Sequence, residues 1–435
     1  MGTVSSRHAR LRRWGHRLTA FFVGQGMVQI LNLATGFFLI RWLSVDDYAM
    51  YSVATGFQGT VGILVELGLG SSIVALLAGR TDPQVVGGYI RSTRYYRNRF
   101  FLFLLPLIFI AFPVLTFRQG WGFSLTVGLL AAILVSLYFQ SWASYYSVPL
   151  LIHQELTLYY RTPSLLSAAR LGVSFLLHLL SLLSAFASVW LSTLSTVAQG
   201  WFYREHSAQH IEEPRESDPA KNREVLNYIR PLMPSTIFFA LQGQISILVI
   251  TWFGKEQSIA EVGALGRIGQ LFVMLAAFNS VIIAPAIARV SRRLLLRRYS
   301  QVLAGALVIS GVLVGSALVF PDAYLWLLGH KYEHLRGELA WMMVSSCIGY
   351  LTGVLWTMHS ARKWIFTWGV WTYIGSVVLT QIAGLVFMDL STTRNVILFS
   401  VFSSLATLLV QVAWGISGFA TRAESRTEHS HTHRK

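Results

Sequence analysis

Apolar residues in this chain come in a dozen long runs, near 19–42, 48–78, 100–117, 121–150, 163–182, 184–203, 229–253, 260–288, 301–320, 339–359, 364–388 and 395–419, each closed by a short polar segment. A helix rises about 1.5 Å per residue, so roughly 20 apolar residues cross a hydrocarbon core of about 30 Å. The pattern predicts an all-α polytopic membrane protein of about 12 transmembrane helices. A β-barrel would alternate polarity every second residue over segments of about ten, and stretches such as 125–137 show no such alternation.

Composition sharpens this reading. Hydrophobic residues make up 54% and charged residues 12% of the chain, half the charged share of about 25% expected of a soluble domain. The net charge of +16 raises the question of nucleic acid, and the placement of the charges answers it. With the N-terminus inside, the inner segments hold 27 of the 35 Lys and Arg residues and the outer segments six. The inner groups include Arg7 to Arg17, Arg91 to Arg99 and Arg289 to Arg298, and the outer ones are Arg41, Arg118, Lys255, Lys331, Arg336 and Arg394. That asymmetry is the positive-inside signal and places both termini in the cytoplasm. The excess charge goes to topology and to anionic membrane lipid, and no nucleic-acid partner is called for. A basic start followed by an apolar run resembles a signal peptide, but the run exceeds 20 residues and no small-residue cleavage site closes it, so it reads as a retained first span. One cysteine, Cys347, excludes an internal disulfide and a CxxC motif.

The longest polar connection, 204–228, carries Glu212, Glu213, Pro214, Glu216, Asp218 and Pro219 and follows the sixth span. It divides the chain into a basic N-tail (1–18), a six-helix bundle (19–203), a cytoplasmic linker (204–228), a second six-helix bundle (229–419) and a polar, His-rich tail (420–435). Trp252 lies 210 residues after Trp42, and the same shift pairs Ile40 with Ile250, Ala54 with Ala264, Gly56 with Gly266 and Gly59 with Gly269. Six spans per half return the chain to the same side, so the halves form a parallel pseudo-two-fold repeat, with the substrate site expected between them near the midplane.

Residues 39–73, LIRWLSVDDYAMYSVATGFQGTVGILVELGLGSSI, resemble the start of the bacterial polysaccharide transporter family, the lipid-linked (O-antigen-type) oligosaccharide flippases of the multidrug/oligosaccharidyl-lipid/polysaccharide (MOP) superfamily. Arg41, Asp47, Tyr48, Tyr51, Glu66, Leu67, Gly68 and Leu69 fill that family's pattern, with Ala49 where Gly is usual and Glu66 where Asp is common. The stretches around 144–177, 327–343 and 355–379 are similar to later junctions of the family, so the likeness touches both halves. It implies translocation of an undecaprenyl-pyrophosphate-linked oligosaccharide to the outer leaflet of a bacterial inner membrane for export of cell-surface polysaccharide. It implies no cofactor, no metal and no catalytic residue, and it suggests a polysaccharide polymerase and glycosyltransferases as partners.

An acid or base at a helix centre costs about 2.5–3.5 kcal/mol on insertion scales, so intramembrane charge marks function or pairing. Glu66, Arg170 and Arg267 qualify, with His178 as a neighbour near its helix end. Gln25, Gln29 and Asn32 recur at helical spacing on the first span, as do Gln58 and Glu66 on the second and Arg267 and Gln270 on the eighth. Gln242 lies opposite Asn32 in the repeat. In the functional reading the arginines contact phosphate or acidic sugar, the amides contact sugar, and Glu66 is the candidate coupling group. In the structural reading Glu66 pairs with an arginine and the amides glue helices together. The same weighing makes His178 a packed residue and Arg41, Asp46 and Asp47 a solvated turn. Gly311 with Gly315 and Gly349 with Gly353 then mark close helix packing.

Three other functions compete. A cation-coupled multidrug exporter of the same superfamily would usually carry an acid in its first or seventh span, and neither span here contains one. A membrane glycan polymerase or ligase would need a sizeable outer loop, and the longest, 321–338, is short although it offers Asp322, His330, Glu333, His334 and Glu338. A lipid II flippase usually has fourteen spans. No GxxxxGK[ST] phosphate loop is present, which argues against ATP hydrolysis by this chain.

Overall fold

The computed structural model describes residues 23–432 other than 78, 79, 154, 280–282, 284, 285, 288, 289, 292, 293, 363, 365 and 366; side chains of 273, 274, 276–278, 367 and 421–432 are likewise outside the described set. The N-tail and the arginines at 289, 292 and 293 therefore fall outside it. Every regular element among the described residues is helical. The chain divides after Trp252 into two compact units.

The first unit opens with α1 (Val23–Trp42), α2 (Val45–Glu66) and α3 (Leu69–Leu77). Ser44 caps α2 by accepting from the Asp47 amide at 3.0 Å, and Asp47 in turn accepts from the Ala185 amide at 2.9 Å. Asp47 thus ties the N-terminal end of α2 to a later helix, a firmer role than a solvated turn. The second apolar run does not form one rod. Leu67 (φ 41°) and Gly68 (φ 79°) both turn left-handed, and α3 leaves α2 at 41°. Glycine takes this conformation without steric cost, so its place one residue beyond the αL cap completes the break.

Next come α4 (Pro83–Arg118), α5 (Phe123–Ile152), α6 (Leu156–Leu179) and α7 (Ala185–Ser207). Asp82 caps α4 through the Gln84 amide at 2.9 Å, with Pro83 in the first turn where its missing N–H costs nothing. α5 and α7 pack at backbone distance. A Cβ on Gly200 would stand 2.8 Å from the Phe139 carbonyl oxygen, and Thr193 Oγ1 donates to the Ala132 carbonyl at 3.2 Å. The linker is structured: α8 (Pro219–Ile229) is capped by Asp218 and packs Val225 and Ile229 against Leu69, Ile73 and Leu77 of α3 and Val86 and Ile90 of α4. The unit ends with α9 (Met233–Gln242) and α10 (Ile245–Phe253), bent by 51° at Gly243–Gln244. Gly56 and Gly59 of α2 open a groove filled by Gln244 and Ile247.

The second unit holds α11 (Glu256–Phe278), α12 (Leu295–Val319), α13 (Pro321–Leu328), α14 (Arg336–Ala361), α15 (Thr367–Phe387) and α16 (Thr393–Thr432). Gly269 of α11 takes Ser346 of α14 at 3.2 Å from a built Cβ, so both glycines paired by the 210-residue shift, Gly59 and Gly269, serve close approach within their own units. The GxxxG pairs do not: a Cβ on Gly311, Gly315, Gly349 or Gly353 would meet nothing within 4 Å. Fully buried His359 lies between Tyr299 Oη (3.0 Å) and Gln411 Oε1 (2.9 Å). One neutral tautomer satisfies both, with Nδ1–H donating to Gln411 and Nε2 accepting from Tyr299.

The twelve apolar runs thus correspond, in order, to α1, the bent pair α2/α3, α4, α5, α6, α7, the bent pair α9/α10, α11, α12, α14, α15 and α16. Among the described residues, seven single helices and two bent pairs are long and apolar enough to cross a membrane. The others, α6, α7 and α11, are the ones that carry Arg170, Gln199 and the Glu261–Arg267–Gln270 series.

Candidate functional site

Two of the candidate residues from distant parts of the chain meet. α1 and α6 pack along a seam on which Gly24 faces Tyr160, Asn32 faces Arg170, and Trp42 faces His178. Gly24 has no room for a Cβ against the Tyr160 ring, which lets the N-terminal ends of the two helices close up. In the middle, Arg170 Nη2 donates to Asn32 Oδ1 at 2.7 Å, Ser167 Oγ donates to the same oxygen at 3.2 Å, and Arg170 Nη1 reaches Ser192 Oγ of α7 at 3.4 Å. At the C-terminal end of α1, Phe38, Trp42 and His178 form a column of near-parallel rings, with centroids 4.8 and 5.0 Å apart. His178 is a packed residue, as its place near the helix end suggests.

The electrostatics of the seam are one-sided. Arg170 is half-buried, its guanidinium donates to the neutral Asn32 and Ser192, and its buried Nε has no acceptor among the described residues. No ion pair joins it to a carboxylate among the described residues. Gln25 and Gln29 lie half-buried on α1, three to seven residues before Asn32.

Glu66 goes elsewhere. Its carboxylate accepts from Ser144 Oγ of α5 and from the Gly70 amide in the first turn of α3, with Arg97 nearby. It therefore caps the helix that restarts after the break, where backbone N–H groups have no intrahelical partner. The ion pair of Glu66 with Arg170 does not form. Gln58 Nε2 donates to Ser136 Oγ of α5 at 2.7 Å, the interhelical-glue geometry. Gln242 is half-buried at the α9/α10 bend, and Arg267 and Gln270 are half-buried on α11 in the second unit.

Sequence reasoning passed over three residues. Arg97, counted among cytoplasmic charges, is 2% exposed and donates to Ser141 Oγ (2.7 Å), Asn98 Oδ1 (2.8 Å) and the Tyr138 carbonyl (2.7 Å), with its guanidinium 4.5 Å from the Tyr138 ring centroid. Glu261 is buried on α11, accepting from Gln257 (3.0 Å), His334 (2.8 Å) and Thr393 (2.5 Å). Gln244 lies against the Gly56–Gly59 groove. In the 321–338 segment Asp322 pairs with Arg336 at 2.7 Å and Glu333 with His330, while His334 turns to Glu261, so two of the three acids offered there for glycan chemistry hold basic partners. No cluster of three His, Cys, Asp or Glu suited to a metal occurs among the described residues.

No family model and no curated protein sequence matches the chain. Solved structures do. The lipid II flippase MurJ in an inward closed conformation superposes with a TM-score of 0.69 over 90% of this chain and 86% of that one, at 13% identity. A multidrug resistance MATE-family transporter of the MOP superfamily, inward-facing, gives 0.62 over 91% and 96%, at 14% identity. The chain has the fold of the MOP transporters. A further MOP-superfamily transporter, from Pyrococcus furiosus and described as having a binding pocket of reverse polarity that suggests a different function, gives 0.56 over 93% and 94%, at 13% identity. These neighbours of the MOP fold are membrane transporters and flippases.

Proposed function

We propose that the protein is a flippase that carries an undecaprenyl-pyrophosphate-linked oligosaccharide from the cytoplasmic to the outer leaflet of a bacterial inner membrane, for assembly of cell-surface polysaccharide. A pyrophosphate cannot cross hydrocarbon without cations, and sugars need amides and hydroxyls in place of water. In this reading Arg170 and Arg267 receive the phosphates, and Gln25, Gln29, Asn32, Gln58, Gln242 and Gln270 the sugars. Rocking of the two halves, 19–203 and 229–419, about the linker alternates access. Glu66 is the coupling group if a proton gradient drives the cycle, and a polymerase and glycosyltransferases handle the lipid-linked sugar before and after it.

The observation that carries the proposal is Arg170. A guanidinium in a membrane helix normally finds a carboxylate, and this one is held by an amide and a hydroxyl that fix its direction and leave its charge uncancelled. Such a group suits an anionic ligand and repels a cationic drug.

The test is transfer of labelled undecaprenyl-pyrophosphate oligosaccharide across proteoliposomes containing wild type, Arg170→Gln or Arg267→Ala. Transfer by folded wild-type protein, lost on the order of tenfold in Arg170→Gln, is expected for loss of a charge-assisted contact. Undiminished transfer in both variants would remove the arginines from the site. No transfer by wild type with several head groups would move the reading to drug export.

A further inference from the structure

The linker is strapped onto α4 through an anion cradle. Arg94 Nη1 donates to Glu213 Oε2 at 2.6 Å while Tyr146 Oη donates to Glu213 Oε1 at 2.6 Å, so two donors from two helices converge on the two oxygens of one carboxylate. Arg94 also reaches Tyr146 Oη at 3.1 Å, which holds the two donors together. Alongside, Arg91 Nη2 donates to the Arg215 carbonyl at 2.8 Å, the Glu212 amide donates to the Pro83 carbonyl at 3.0 Å, and Gly87 leaves no room for a Cβ beneath the Glu212 backbone.

Charge is in surplus around this cradle. Arg204 stacks over Trp142 at 4.6 Å, and Arg91 spends its bond on a neutral carbonyl, so Glu213 is the one carboxylate ion-paired among these arginines in the described structure. The strap lies between two apolar anchors, Ile211 on one side and Val225 on the other, and residues 212–216 between them are exposed and held by polar contacts. Arg94 precedes the apolar run at Phe100 by six residues, about 9 Å along a helix, which sets the cradle at headgroup level on the face that the arginine distribution assigns to the cytoplasm.

We propose that Arg94 and Tyr146 form a reception site for the phosphate of an anionic headgroup, and that Glu213 occupies it in cis until that phosphate displaces the strap. The carboxylate stands where two phosphate oxygens would sit, and displacement frees the linker that leads into α8 and α9. The identity of the lipid rests on the flippase reading. The cradle and its occupant do not.

The experiment measures hydrogen exchange of residues 208–218 in phosphatidylcholine nanodiscs, alone and with undecaprenyl pyrophosphate, phosphatidylglycerol or inorganic pyrophosphate, for wild type, Glu213→Gln and Arg94→Gln. A phosphate probe should raise exchange in wild type at 211–216, and both variants should show raised exchange without it. Their affinities should part: Glu213→Gln binds the probe about tenfold tighter and Arg94→Gln weaker, the scale of one charge-assisted hydrogen bond. A merely structural strap would weaken both alike, and that outcome overturns the proposal, as does unchanged exchange with every probe. Release by either lipid places the source in the membrane and release by inorganic pyrophosphate places it in solution; both support the phosphate site. Translocation through Arg170 reads a different residue, so failure of one result leaves the other standing.

Discussion

Asn32 and Arg170, 138 residues apart in the chain, meet at 2.7 Å in the middle of the α1–α6 seam, and the meeting leaves the arginine oriented and still charged. Replacing Asn32 by Asp separates structure from transport. The new carboxylate would pair with Arg170 and fill its coordination, so thermal stability in detergent should hold or rise, while transport of an anionic lipid falls about tenfold because the charge is cancelled. A variant that is both stable and fully active would show that Arg170 is packing alone.

Glu66 invites a comparison of two substitutions. Glu66→Gln keeps an acceptor for Ser144 and the Gly70 amide and should fold like wild type, whereas Glu66→Ala strips the start of α3 and should cost on the order of 1 kcal/mol, the usual loss at a helix cap. Since the amide cannot titrate, any proton-gradient dependence of transport that runs through this residue should vanish in Glu66→Gln. Persistence of that dependence would assign coupling elsewhere, and buried Glu261 would be the next group to test.

Gly200 brings α7 directly against the backbone of α5. An added methyl must push against the Phe139 carbonyl at 2.8 Å and Trp142 Cβ at 3.2 Å, and a backbone neighbour cannot swing aside. Gly200→Ala should therefore destabilise the first unit by about 1–3 kcal/mol, read as a lowered melting temperature. Gly315→Ala, which meets open space, is the control and should be silent.

Acid should loosen the corner beyond α5. His153 lies outside the spans, stacked on His210 at 3.9 Å, and burial first and the neighbouring His210 second hold its pKa below the ordinary histidine value, with Glu155 opposing. The unfolded chain therefore binds the proton more readily. The stabilising contribution is complete above the unfolded value of about 6.5 and is lost as pH falls toward the lowered folded value. Melting curves between about pH 5 and 8 should slope less steeply in His153→Phe than in wild type; equal slopes would exclude this histidine.

Hydropathy was enough to place the twelve helical runs, because transfer energies add along the chain. The same signal set Asn32 and Arg170 apart as costly residues, although nothing in their spacing said that they touch. Partnership is where the reading stopped. Arg97 looked like one more cytoplasmic charge because its three acceptors lie on its own helix and on α5, some forty residues on, and hydropathy cannot see them. Glu261 was missed for the same reason. The α2/α3 break had a local sign, Gly68 after a run of helix formers, whereas the GxxxG pairs on α12 and α14 promised contacts that a residue pattern alone does not guarantee.

One helix gives the strap a mechanical meaning. At 36 residues α4 is about 54 Å long, so about 24 Å of it stands beyond a 30 Å hydrocarbon core. Its two internal prolines, Pro106 and Pro113, both lie in the apolar part, and the projecting part has only Pro83 at its first turn. Bending is therefore concentrated inside the bilayer while the outer portion behaves as a stiff lever. A swing of about 10° at Pro106, about 35 Å from Pro83 and about 18 Å from Arg94, would carry the helix's first turn through roughly 6 Å and Arg94 through roughly 3 Å. Both distances exceed the length of any hydrogen bond holding Glu213, so a crank of this size either drags the linker with it or breaks its grip.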